Sequence, residues 1–368
     1  MGLVDKLGLS LTGGEALLEC FRQVIPEENN LFDSFYKINK SFKKTKVKKV
    51  QLCNICQKEL NSKNKCPSET CLSNQSLYNF KPIKVFILDI KKQISFILDN
   101  HYDAILNNLV NLKRDGYVSD ITSGWKYKYE ENVLNLVLFA DGVNYTKSSS
   151  KTIWALLSCI VELPQRIRES HENIISHSMW SGSNPDFNVF LELYNTQTTD
   201  LLTNGLIYKD KLIRFKIHIF VGDAPARCKI CKSVQFNGKY GCFNCLHPTS
   251  RVGQTTIYEY IKNVQLRTEE IYKTQLDTCI ENNDEPYQGI KGEAFLSTWM
   301  IIPERITIDY MHSSVIGTFK RFINFFFNTK NHEHGSYLGH LYNLNSCLYF
   351  LGIKYVVIIY LRSSNWVG

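Results

Sequence analysis

Residues Lys216 to His247, KIHIFVGDAPARCKICKSVQFNGKYGCFNCLH, constrain this chain more than any other stretch. The apolar run Ile217 to Val221 predicts a strand, and the run delivers one carboxylate, Asp223, at its end. A strand that stops on an aspartate holds the group rigidly while leaving it open to metal and substrate. Directly behind it stand two Cys-x-x-Cys pairs, Cys228/Cys231 and Cys242/Cys245, separated by a ten-residue loop that carries Asn237-Gly238. Four thiols at that spacing suit a tetrahedral zinc site, with His247 as a substitute ligand; buried free thiols are the alternative.

The rest of the chain has room for a large core. Its 368 residues set a soft prior of two or three units, and 44% hydrophobic with 12% aromatic residues excludes wholesale disorder. No stretch offers the ~18 apolar residues that a membrane-spanning helix needs, so no membrane partner is expected. The N-terminus lacks a basic start followed by an apolar block, which argues against a secretory leader. Of the twelve cysteines, eight fall into two compact groups, the pattern of a reduced, metal-bound, intracellular protein rather than of a disulfide framework.

The first of these groups is Cys53-x2-Cys56-x9-Cys66-x4-Cys71, read as a structural Zn²⁺ module. Just before it, Lys40 to Lys49 holds six lysines in ten residues. Lys43, Lys44, Lys46, Lys48 and Lys49 suit the phosphates of DNA or a nuclear address, with a solvated linker as the plain alternative. The organisation expected is a helical leader and basic run over 1–50, with Leu17, Leu18, Phe21 and Val24 at helical spacing before Pro26. A cysteine module follows over 51–75, then a helical linker over 76–125, where Ile83 to Leu112 is amphipathic. The core spans 126–330, and 331–368 is a divergent end.

Within the core, Val133 to Ala140, Thr152 to Val161 and Asn173 to Trp180 read as strands. A helical block, Asp186 to Leu202, precedes the strand Leu212 to Val221, giving a mixed α/β sheet. The first strand ends on Asp141 as the fourth ends near Asp223. If the two strands are neighbours, the paired carboxylates are hard ligands for Mg²⁺ or Mn²⁺, the arrangement of two-metal phosphodiester chemistry. The alternative for Asp141-Gly142 is a hairpin turn. Asp309 and His312 share a face if residues 307–322 are helical, for chemistry or for a structural hydrogen bond. The apolar FINFFF that follows, Phe322 to Phe327, is expected to be buried, and Lys320, Arg321 and Lys330 are candidate phosphate contacts.

Several motifs together carry a resemblance: Ala140-Asp141-Gly142, Trp154 in the second strand, Leu163-Pro164, DAPAR from Asp223, QFNGKYGCFNCLHP from Gln235 and DYMH from Asp309. The chain resembles the transposase domain-containing proteins of the CACTA (En/Spm) group over nearly its whole length. The resemblance implies an RNase H-like core with a zinc-knuckle insertion, preceded by a helical and zinc-binding N-terminal region. It also implies a DDE site that cleaves and transfers DNA strands with two divalent ions. Asp141 and Asp223 match the first two acids, and Asp309 and His312 match the family's D-x-x-H motif. The family's third acid, a glutamate in a Trp-Lys-Ala-x-Glu context, has no counterpart; the last acidic residue is Glu333. The expectation is therefore a transposase-derived DNA-binding protein, cut short before its third carboxylate, weak or inactive in cleavage and nuclear, with the cytoplasm also open. A homo-oligomer is allowed. The competing class is a non-enzymatic zinc-bearing adaptor for nucleic acid or protein.

Overall fold

The computed structural model describes residues 47–74, 81–111, 120–144 and 152–328, with isolated positions 19, 330, 333 and 337. The chain divides into Met1–Val47 and Lys48–Gly368, and the sheet and its helices belong to the second unit. The helical leader expected at the start of 1–50, apart from helical Glu19, and Lys43, Lys44 and Lys46 lie outside the described residues. So does nearly all of 331–368.

Strand β1 (Val47–Leu52) carries Lys48 and Lys49, both exposed, so the end of the basic run is part of the sheet and not a linker. Lys49 lies 5.9 Å from the centroid of the Phe86 ring. Strand β2 (Ile83–Leu88) alternates buried and half-exposed positions with period two. This corrects the helical linker expected from Ile83: the helix, α1, begins only at Ile90 and runs to Asn111. The sequence KVFILDIKKQISFIL contains enough apolar residues to satisfy either period, and only the tertiary partner of Val85 and Ile87 decides. From Ile90 onward the helical spacing is clean, with Ile90, Ile94, Ile97, Leu98 and Ile105 buried along one face. Both elements belong to the core rather than joining two units.

The three predicted core strands are present as β3 (Val133–Asn144), β4 (Thr152–Ile160) and β5 (Ile175–Gly182). A short helix, α2 (Gln165–Arg168), lies between the last two. The helical block splits into α3 (Phe187–Glu192) and α4 (Asn195–Asn204), followed by β6 (Leu206–Tyr208) and β7 (Lys211–Gly222). Beyond β7 come α5 (Ala224–Ile230), the small ribbon β8 (Ser250–Val252) and β9 (Thr255–Ile257), α6 (Glu269–Glu281) and β10 (Ile306–Ile308). A π-helical stretch, Met311–Phe319, runs into α7 (Lys320–Phe327).

The main sheet has the order β1-β2-β5-β4-β3-β7-β10, with β6 paired to β7. β2, β5, β4 and β3 are successively antiparallel. β7 is parallel to β3, and β10 parallel to β7. β3 is buried at every position from Val133 to Leu138, as a central strand covered on both faces must be. Two clusters of buried residues form the core. One gathers Leu138, Ala140, Trp154, Trp180, Phe190 and Phe220 with their neighbours; the other joins α1 to Leu134, Leu136, Ile160, Ile213 and Phe215. FINFFF departs from its expected burial: among the described residues only Ile323 is enclosed, while Phe322 and Phe325 stay exposed.

A polar residue in this core creates a pH dependence. His177 on β5 is enclosed, with Nε2 2.8 Å from Ser158 Oγ and Nδ1 without a partner. Burial depresses its pKa from 6.5 to about 4. The unfolded chain therefore takes up the proton first as pH falls, so stability present above pH 6.5 is lost progressively down to about pH 4. The loss across that window is about 3 kcal/mol for this group. A His177→Leu variant should have a lower urea midpoint at pH 7 but a flatter decline between pH 6.5 and 4. An unchanged decline would assign the acid sensitivity to other groups.

Candidate functional site

Parallel neighbours present their C-terminal ends together, and here three adjacent strands do so. Asp141 lies three residues before the end of β3, paired across to Ala155 of β4. Asp223 follows the last residue of β7, and Asp309 follows the last residue of β10. The backbone N–H of Asp309 donates to Gly222 O at 3.2 Å, which ties the third carboxylate to the residue preceding the second.

Each aspartate is fixed by its own local hydrogen bond. Asp141 Oδ1 accepts from the Gly142 N–H at 2.7 Å. β3 continues through Gly142 to Asn144, so Asp141-Gly142 is strand and not a hairpin turn. Glycine is required at 142 for another reason: it pairs with Trp154, and any Cβ there would run into the indole. Asp223 caps α5, its Oδ1 accepting from Ala226 N–H at 2.7 Å, with Pro225 in the first turn. That is the local logic of DAPAR: a cap that leaves Oδ2 unused, and a proline where no backbone donor is needed. Asp309 Oδ1 accepts from Met311 N–H at 2.8 Å, and Oδ2 meets His312 Nδ1 at 2.5 Å.

The expected Asp309–His312 pair is thus formed, but at a strand-to-helix junction rather than within one helix. His312 is raised above its ordinary pKa, first by this hydrogen bond and further by the charges of Asp309, Asp223 and Asp141. The imidazole therefore lies in the combined field of all three carboxylates. Such a set offers hard oxygen donors, and among the described residues Asp141 and Asp223 each keep one oxygen free of protein hydrogen bonds, although no three ligand atoms of Asp141, Asp223, Asp309 and His312 gather within 4.8 Å.

Lys229 is a neighbour that the sequence did not single out. Its Nζ lies 4.6 Å from the centroid of the Trp154 ring and donates to Asn184 Oδ1 at 3.3 Å. Burial lowers its pKa, opposed by Asp223. Its position two turns along α5 from the Asp223 cap was the available signal.

The Cys53, Cys56, Cys66 and Cys71 group is assembled: its four sulfurs all lie within 4.8 Å of one another and can hold a metal ion, consistent with structural zinc. Cys53 and Cys71 are 3.7 Å apart, and Cys56 and Cys66 3.4 Å. A tetrahedron of sulfurs each 2.3 Å from zinc has an edge of about 3.8 Å. Burial works against the Cys53 thiolate, but the Ser73 hydroxyl and the N–H groups of Cys56 and Ile55 hold the thiol down at about 6. The module follows β1, whose Val50 and Leu52 lie in the core, and a further side chain ties it down. Gln57 Nε2 donates to Asn184 O at 3.1 Å, and Gln57 Oε1 accepts from Asp186 N–H at 2.8 Å.

The second group differs from expectation. Among the described residues, no three ligand atoms from Cys228, Cys231, Cys242, Cys245 and His247 gather within 4.8 Å. Cys231 is fully buried in the apolar core, where burial pushes its thiol pKa strongly upward. The Cys228 thiol donates to Val234 O at 3.2 Å. His247 uses both ring nitrogens: Nδ1 accepts from Thr249 N–H at 3.0 Å, and Nε2 lies 2.7 Å from Glu259 O. Packing and hydrogen bonding hold this loop, and within it the Cys242 and Cys245 side chains interact with one another.

Zinc release measured with a colorimetric chelator should accordingly give one ion per chain. Cys56→Ser should abolish it, and Cys242→Ser should leave it intact. Two ions per chain, with one lost in Cys242→Ser, would overturn the assignment.

No curated protein matches the chain. Residues 37–284, from the basic run through the cysteine module and β7 to the end of α6, match a protein family described as "Protein of unknown function (DUF1258)". With most of its length inside that match, the chain belongs to this family.

Proposed function

We propose that this is a transposase-derived DNA-binding protein with an RNase H-like core and a weak metal-dependent phosphodiester site. The observation that carries the reading is the delivery of Asp141, Asp223 and Asp309 to the ends of three parallel neighbours, with His312 in their common field. An antiparallel meander continued by parallel strands supports the RNase H-like assignment of the sheet. The CACTA-like motifs support the same reading, because ADG, DAPAR and DYMH supply these three aspartates.

Asp141 and Asp223 would hold a divalent cation, Mg²⁺ or Mn²⁺, through their free oxygens. When bound, such ions activate a water or hydroxyl and steady the leaving oxygen of a phosphodiester. The chain's own groups position the substrate and limit the chemistry. Lys229, held by Trp154 and Asn184, is placed to meet a phosphate beside Asp223. His312 occupies Asp309 Oδ2, so this third carboxylate is partly neutralised and is a poor substitute for a free glutamate. The result is DNA binding that tightens with divalent metal and slow cleavage at best. Exposed Lys48 and Lys49 on β1 add phosphate contacts, and the nucleus is the proposed location.

A second reading, a zinc-bearing adaptor without chemistry, is favoured by the fastening of the Cys53–Cys71 module to the core through Gln57. Supercoiled plasmid separates the two. Under the first reading Mg²⁺ or Mn²⁺ tightens binding and gives slow nicking, and Asp141→Asn and Asp223→Asn each remove both effects. Efficient cleavage abolished by Asp223→Asn would sink the claim of weak activity. Binding and nicking indifferent to divalent metal would leave the adaptor.

A further inference from the structure

A hollow of about 420 Å³ and another of about 750 Å³ adjoin beside the sheet, sharing Lys126, Lys128 and Arg305 in their walls. Asn135 in the first hollow is six residues before Asp141 on β3, about 20 Å away at the rise of an extended strand. None of the three aspartates lines either hollow, although the second hollow reaches Thr307, two residues before Asp309. Its outer wall is the segment Trp125-Lys126-Tyr127-Lys128-Tyr129, in which aromatic and basic residues alternate.

The segment is rigidly presented. Tyr127 turns inward, its hydroxyl donating to the buried carboxylate of Glu162 at 3.1 Å, which also accepts from Asn135 N–H at 2.9 Å and Asn135 Nδ2 at 2.8 Å. Lys126 Nζ donates to Glu304 O at 3.0 Å, joining the segment to the approach to β10. With Tyr127 anchored, its neighbours point out: Trp125 is 87% exposed and Tyr129 55%. Lys126 lies 5.2 Å from the Trp125 ring centroid.

The charge in the groove is unbalanced. Glu130 is taken by Lys216 at 2.6 Å, and Glu304 is the other acid in the walls. Among the described residues Lys126, Lys128 and Arg305 have no ion-pair partner. His218, enclosed on the groove floor, is held down at about 4 by burial and by the charges of Arg305 and Lys126. A positive groove beside an exposed, preoriented indole matches the needs of a flexible phosphodiester strand with unstacked bases, since cations track the backbone and the ring stacks a base. An acidic peptide would use the cations but would leave the indole unused.

We propose that this groove binds single-stranded nucleic acid, with phosphates on Lys126, Lys128 and Arg305 and a base stacked on Trp125. The site does not depend on the carboxylate reading.

Fluorescence anisotropy of labelled oligothymidylate and oligouridylate on the full chain tests it, with a duplex of equal length as competitor. Trp125→Ala should weaken single-strand binding by about tenfold, and Trp125→Phe should restore most of it. The triple variant Lys126→Ala, Lys128→Ala, Arg305→Ala should lower the slope of log affinity against log salt by about 2. The N-terminal lysines are unchanged in every variant, so the differences report the groove alone. Asp223→Asn should leave single-strand binding as it is, which separates this test from that of the metal site. A preference for the thymidylate or the uridylate strand tells DNA from RNA, and either supports the proposal if it exceeds the duplex. Wild-type affinity in both Trp125→Ala and the triple variant overturns it. So does an acidic peptide that binds through Lys126 and Lys128 while oligonucleotides do not.

Discussion

Strand direction is the constraint on which the rest depends. Because β3, β7 and β10 run parallel, their C-terminal ends fall on one rim, and residues far apart in sequence, Asp141, Asp223 and Asp309, are delivered there. Parallel strands cannot be joined by a tight turn, so each return requires a long crossover that packs on the sheet. The chain supplies the first crossover with β4, β5, α3 and α4, which also bury the aromatic side of the core. The second carries α5, the β8–β9 ribbon and α6. The rim and the crossovers are thus one design: burying the connections places the carboxylates.

Much of this was legible in the residues. Val133 to Phe139 is a mostly apolar run and Leu212 to Val221 alternates apolar with polar residues, and a strand ending on Asp223 followed by Pro225 announces a capped helix. The first cysteine group was legible from spacing because metal ligation is local. Less legible was Ile83 to Leu88, where helical and strand periods coexist and the pairing with β5, nearly a hundred residues later, decides. The second cysteine group is less legible. Its spacing suits zinc, yet Cys231 closes α5 and points into the core while both nitrogens of His247 go to the backbone. Asp309 was found by motif, but nothing local told that β10, only three residues long, would set it beside Gly222. The alternation in Trp125 to Tyr129 was visible in the sequence, while its meaning came from Glu162, which draws Tyr127 inward and turns the others out.

The cysteine module and the rim are mechanically joined. Asn184 accepts from Gln57 through its backbone oxygen and from Lys229 through its side chain, while Lys229 lies over Trp154, whose indole packs on Gly142 beside Asp141. The path from zinc-type knuckle to carboxylate passes through four contacts of ordinary strength. It gives a small domain without a large core of its own a place in the geometry of the site.

The second crossover has one further property. β7 ends at Gly222 and β10 begins at Ile306 beside Phe220, so everything from 223 to 305 is a single excursion whose ends are clamped by the sheet. Closing such a loop costs only about 0.6 kcal/mol more for each doubling of its length. Closure itself is therefore a weak constraint on how much chain is stored there, whereas Ala226, Ile230, Phe243, Tyr272 and Leu296 belong to the core and must stay in place. Kept between fixed ends, the excursion can take up added length at exposed turns such as Gly253, while its buried residues and the rim keep their spacing.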